Sequence, residues 1–218
     1  MTPDAMITLL KARLASSNDD SLDTIIITLA NVAQERLEQA PELPWFLFTD
    51  TNVAGTNLAT VASTETVALP SDFIREFEDN DSVLFVQDTS EDDPWVPLTH
   101  DDYAAIKANL TGTGQPSYYD LLGSYLYLRK IPDAVYTLRL LYMAKEDPIV
   151  TGTTVNAWML NASDWVMAEV GLMLTTSVVP MPSIAKTFQG ELAIAKKRVM
   201  DETVARREAS MRRMMGVA

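Results

Sequence analysis

Apolar positions near the amino terminus recur three and four apart. Met6, Leu9, Leu10 and Leu14 follow Thr2-Pro3-Asp4, which supplies an N-cap residue, a proline suited to the first helical position and an acid at the helix's positive end. This predicts a first helix, broken by Ser16-Ser17-Asn18-Asp19-Asp20. Ser21 starts a second, along which Leu22, Ile25, Ile26, Leu29, Val32, Ala33 and Leu37 form one stripe, until Pro41 and Pro44 stop it. From Thr49 to Pro148 the pattern changes to short β-prone runs separated by turn residues, as in antiparallel strands, with candidates at 58–62, 65–69, 82–87 and 95–98. The clearest signal is a hairpin in which 118–122 and 125–129 flank Gly123-Ser124, glycine standing where a type II′ turn needs positive φ. A further strand at 135–143 places Tyr136, Leu138, Leu140 and Tyr142 on one side. Thr99 with Asp102 resembles a capping box for a short helix bearing Tyr103, Ile106 and Leu110. After Pro148 the helical period returns: Trp158, Ala162, Trp165, Ala168 and Leu172 share a stripe, and Val166, Val170, Met173 and Leu174 make another. Ser183 is the candidate cap of a last helix whose apolar line is Phe188, Leu192, Ala195 and Val199. The expected fold is therefore α+β: a four-helix bundle with an inserted antiparallel β-rich lobe.

Charge changes this picture in one respect. The net charge is −13 over 218 residues, but residues 186–213 hold eight basic and four acidic residues, so the last helix is a basic element on an acidic body. The acidic body argues against a duplex-binding surface, since neutralising phosphates takes clustered Lys and Arg. Absence of cysteine removes disulfides, thiolate metal sites and cysteine nucleophiles. The start of the chain does not read as a secretory signal, and 158–182 is too interrupted for a membrane span.

Candidate chemistry is sparse. The single histidine, His100, reads as a surface residue beside Asp101 and Asp102. Glu78-Asp79-Asn80-Asp81 and Glu91-Asp92-Asp93 lack the alternating spacing of a calcium loop and read as solvated charge. Gly112-Thr113-Gly114 leads into a strand, and Lys186-Thr187 has no glycine ahead of it, so neither makes a phosphate loop. Any two of the 30 acids could meet as a hydrolase pair, but nothing selects one. The tyrosines at 118, 119, 125, 127, 136 and 142 read as sheet packing and subunit contact, and Trp158 with Trp165 as core.

Several segments, taken in order, carry a resemblance. Trp45-Phe46 is followed by a Thr/Ala/Val-rich run into Leu69-Pro70-Ser71-Asp72-Phe73, and Pro97-Leu98-Thr99 precedes Asp102-Tyr103. Gly114-Gln115-Pro116-Ser117-Tyr118-Tyr119, Leu128-Arg129-Lys130-Ile131-Pro132-Asp133 and the run from Tyr136 to Tyr142 complete the series. Together, over roughly residues 20 to 200, they resemble the head-to-tail adaptor (connector or neck) family of tailed bacteriophages. The resemblance implies no catalysis, cofactor or metal. It implies a structural virion protein, assembled in the host cytoplasm as a twelve-subunit ring between the portal and a downstream tail or nozzle protein. The genome passes through the ring's channel without sequence-specific binding, and no membrane is involved. It also implies a carboxyl-terminal portal-docking tail, a role that here falls to Arg206, Arg207, Met211, Arg212, Arg213, Met214 and Met215. The residues agree, since arginines offer charge-assisted bonds and methionines adaptable apolar contacts; a solvated helix end is the rival reading. The expected domains are a helical one of 1–48 with 149–205, a β-rich lobe of 49–148 and the tail of 206–218. Three other readings stay open: a neck or tail-completion protein of another tail type, a carboxylate-dependent hydrolase, and an acidic module binding a host protein.

Overall fold

The computed structural model describes residues 1–15, 19–77, 83–88, 94–102, 104 and 112–214, the side chains of its last helix as far as Glu208. The chain forms two compact units, Met1–Leu47 with Lys145–Ala218, and Phe48–Ala144.

In the first unit, α1 (Pro3–Arg13) is capped by Thr2, whose hydroxyl accepts from Ala5 N at 3.3 Å. On α2 (Ser21–Glu38), Leu22, Ile26, Ala30, Ala33 and Leu37 are buried at helical spacing. The segment after Pro148 does not continue as one helix. Asn156 caps α4 (Ala157–Asn161) by accepting from Met159 N, and the backbone turns at Ala162 (φ −136°, ψ 30°) before α5 (Ser163–Met173). This break brings the indoles of Trp158 and Trp165 edge to face at 5.9 Å, both in the core. Beyond α5 the helix widens into a π-turn, Leu174–Val178, where Thr175 Oγ1 donates to Gly171 O and Thr176 Oγ1 to Leu172 O, competing for those carbonyls. The last helix, α6 (Pro182–Met214), starts one residue before Ser183, with proline at its first position, so Ser183 is not the cap.

The expected four-helix bundle is not formed. Among the described residues there are six helices, and α1, α2, α4 and α6 pack on α5, whose Trp165, Val166, Ala168 and Val170 are all buried. The physical reason lies in α6. A bundle helix presents a broad apolar stripe, whereas α6 buries only a narrow seam of Phe188, Ala195, Val199 and Thr203.

The second unit holds two sheets. In the six-stranded one, the long β10 (Thr137–Ala144) is the hub. One of its edges pairs with β1 (Phe48–Asp50) and β2 (Leu58–Ala59), the other with β4 (Phe73–Glu76) and β5 (Leu84–Gln87), and β6 (Val96–Pro97) adds to β5. A short helix, α3 (Thr51–Ala54), connects β1 to β2. The four-stranded sheet runs β3 (Thr66–Ala68), β9 (Tyr125–Arg129), β8 (Tyr118–Leu122) and β7 (Thr99–His100), with β7 parallel to β8. At the β8–β9 hairpin Gly123 has φ 62° while Ser124 stays out of the positive-φ region, which is the type II′ turn. Leu98 alone separates β6 in one sheet from β7 in the other; it is buried, and its N–H donates to Leu84 O. Both sheets close on one core, including Leu126, Leu128, Leu138 and Leu140. Thr99 lies in β7 and caps no helix; instead Asp102 Oδ1 accepts from Ala104 N at 2.7 Å. The rest of the expected 99–110 helix, and both acidic runs of 78–81 and 91–93, fall largely or wholly outside the described residues.

Candidate interaction surfaces

The residues assigned to docking divide at Glu208. Arg206 is exposed, and its guanidinium both donates to Glu202 Oε1 (3.0 and 2.8 Å) and lies 3.5 Å above the Trp45 ring centroid. Arg207 is half-buried; Met211, Arg212, Arg213 and Met214 continue the helical backbone, and Met215 lies outside the described residues. One turn before Arg206, the buried Thr203 accepts from Trp45 N at 3.3 Å and donates to Val199 O. Two contacts thus join Trp45, in the short 3-10 turn Trp45–Leu47, to α6 beside the point where its buried seam ends. Trp45 stood out in the sequence, but this partner lies 158 residues away and no local signal announces it.

A polar node anchors the chain where it re-enters the first unit. Asn31, Gln34 and Glu38 lie on one face of α2 and satisfy the backbone of 146–149. Asn31 exchanges two hydrogen bonds with Ile149, and Gln34 Nε2 donates to Glu146 O. Glu38 Oε1 accepts from Gln34 Nε2, Trp158 Nε1 and Glu146 N, and burial pushes its carboxyl above the usual carboxylate range. Near the start of α2, Lys11 is held by Asp23 (2.9 Å) and Asp20 (3.3 Å), and the bond to Asp23 raises its ammonium above the ordinary lysine value.

In the second unit several carboxylates serve the sheets. Tyr119 donates to Glu76 (2.7 Å), Tyr136 to Asp133 (2.6 Å) and Tyr142 to both oxygens of Asp72 (3.0 and 3.1 Å). Burial first, then these bonds, raise the phenols of Tyr119 and Tyr142, whereas the bond to Asp133 is the main cause that pushes Tyr136 up to about 12. Arg139 makes a two-pronged pair with Asp50 (3.0 and 2.6 Å), and Asp50 also caps α3 by accepting from Asn52 N. His100, expected as a plain surface residue, is half-exposed and pairs with Asp120 at 3.2 Å.

Some large apolar side chains also reach the surface. Val53, Val61, Val135, Leu122 and Tyr125 are exposed on the second unit, and Leu160, Ile194 and Val204 on the first. Among the described residues no helix is long and apolar enough to cross a membrane, and no cluster of His, Asp and Glu is disposed to hold a metal ion.

The chain belongs to the SU10 adaptor protein family, whose model matches residues 1–212. That is a phage head-to-tail adaptor family, which makes this protein a structural adaptor and virion component that interacts with other phage capsid and tail proteins. No curated protein matches the chain.

Proposed function

We propose that this adaptor works as one subunit of a ring, twelve-membered as in related adaptors, that joins the portal to the downstream tail protein and continues the DNA channel. The observation that carries the reading is the course of α6. Thr203 is its last buried side chain among the described residues, yet the helix runs on to Met214 through arginines and methionines. A helix end without its own apolar support gains from a partner groove. Residues 206–218 act as the docking tail, in which Arg207, Arg212 and Arg213 supply charge and Met211, Met214 and Met215 fill the groove. Acids of the body face the channel, where repulsion from phosphate keeps DNA from sticking.

The test is the mass of the purified full chain alone and with the portal, against a chain ending at Ala205. Portal-dependent rings with the full chain and none with the shortened one support the reading. Equal assembly by both removes the docking tail from it, and a monomer in all mixtures removes the ring. Replacing channel acids by lysine is expected to slow genome ejection, and unchanged ejection would refute the acidic channel.

A further inference from the structure

Past Thr203, its last buried side chain among the described residues, α6 is held from outside at Arg206. The two residues are three apart, so they share a face of the helix, and both meet Trp45. Thr203 Oγ1 accepts from Trp45 N at 3.3 Å, and the Arg206 guanidinium lies 3.5 Å above the centre of the indole. From the other side Glu202, one turn back, accepts from Arg206 Nε and Nη2 through a single carboxylate oxygen. The seat is itself anchored. Trp45 meets Phe46 edge to face at 5.8 Å, and Phe46 meets Trp158 in the same way at 5.1 Å. Trp158 is fully buried, and its Nε1 donates to the buried Glu38. A string of rings thus runs from the core to the residue at which the docking tail begins.

We infer that Arg206 is a positioning residue of the docking tail and makes no contact with the partner. Clasped between Trp45 and Glu202, it fixes the helical course on which residues 207–214 are presented. Ordering a frayed helix end during docking costs conformational entropy, and a clasp already closed in the free chain removes that cost from the binding step. The same clasp disqualifies Arg206 as a docking contact, because a partner's acid could take the guanidinium only by forfeiting both the carboxylate and the ring. The inference rests on the docking-tail reading and adds which of its arginines acts from within the chain.

The test is the affinity of full-length variants for purified portal rings, beside a chain ending at Ala205. Trp45→Ala is expected to weaken binding about fivefold, and Trp45→Phe, which keeps a ring face and the N–H to Thr203, to stay within about twofold of wild type. In the Trp45→Ala background Arg206→Ala is expected to add nothing, because the two side chains act as one unit. Glu202 is half-exposed and supplies a variant that leaves the core untouched. Glu202→Gln loosens the clasp and is expected to weaken binding, measured at salt that screens the longer-range effect of the lost charge. An arginine that contacted the partner directly would be freed by that change and bind more tightly. Wild-type affinity of Trp45→Ala, binding by Trp45→Phe as weak as by Trp45→Ala, equal losses from Arg206→Ala in both backgrounds, or undiminished binding by Glu202→Gln each overturn the inference and leave the docking tail standing. Full affinity of the chain ending at Ala205 overturns both.

Discussion

A methyl group on Gly171 would stand 2.4 Å from Phe188 Cε1, closer than any tolerated contact, so the two residues are matched across the α5–α6 seam. Gly171→Ala is therefore expected to destabilise the protein by about 1–3 kcal/mol, although alanine is the better helix former. Gly190→Ala, with nothing near it, is expected to stabilise the free chain by about 1 kcal/mol. Urea unfolding of both variants checks the pair, and the same sign at both positions would contradict the packing described.

Glu38 gives a pH dependence with a definite sign. Its carboxyl is raised by burial, so the folded protein holds that proton more tightly than the unfolded chain does. The stability linked to it is complete below the ordinary glutamate value and is lost as pH rises through the higher folded value. Glu38→Gln keeps acceptors for Trp158 and Glu146 N and is expected to flatten that decline. Unfolding free energies across the acidic range, in both proteins, should diverge as pH rises; parallel curves would count against it.

Tyr136 ionises only at about 12, chiefly because its hydroxyl is bound to Asp133. Asp133→Asn removes the charge that opposes the phenolate, and the phenol is expected to move back toward the usual tyrosine value. Spectrophotometric titration of the two proteins, against Tyr136→Phe to identify the signal, measures the shift.

Asp50→Ala removes both acceptors of Arg139 and the cap of α3. Arg139 keeps some solvent contact, so the expected loss is about 2 kcal/mol, below the 3–5 kcal/mol of a fully buried pair. Asp50→Asn is expected to recover part of it, because the amide can still cap α3 while the charge stays missing. Denaturant midpoints order the three proteins.

Trp45→Ala removes the ring beneath Arg206 and is expected to cost about 1 kcal/mol. The loss concentrates at the end of α6, so amides beyond Thr203 are expected to exchange faster while those near Phe188 keep their protection.

The parts of the fold legible in the sequence were those whose cause is local. Gly123-Ser124 between two alternating runs specifies its hairpin, and Thr2-Pro3-Asp4 specifies the start of α1. Strands β1 and β4 have no local signal, because Phe48–Asp50 and Phe73–Glu76 are short and hold their place by pairing with the distant β10. The break at Ala162 has no Gly or Pro to announce it; it follows from the fit of Trp158 and Trp165 in the core. The α+β composition stands, but no four-helix bundle forms, because α6 buries only a narrow seam and the other helices pack on α5. Of the docking residues, Arg206 was legible as a cation at a helix end, whereas its seat on Trp45 is a tertiary contact without a local pattern.

Leu98 gives the β unit a mechanical property. Because one residue separates the strand belonging to one sheet from the strand belonging to the other, neither ladder can peel away while its neighbour stays at rest. Tension entering at either strand is passed through that residue to both ladders at once, so the sheets share the load instead of failing in sequence.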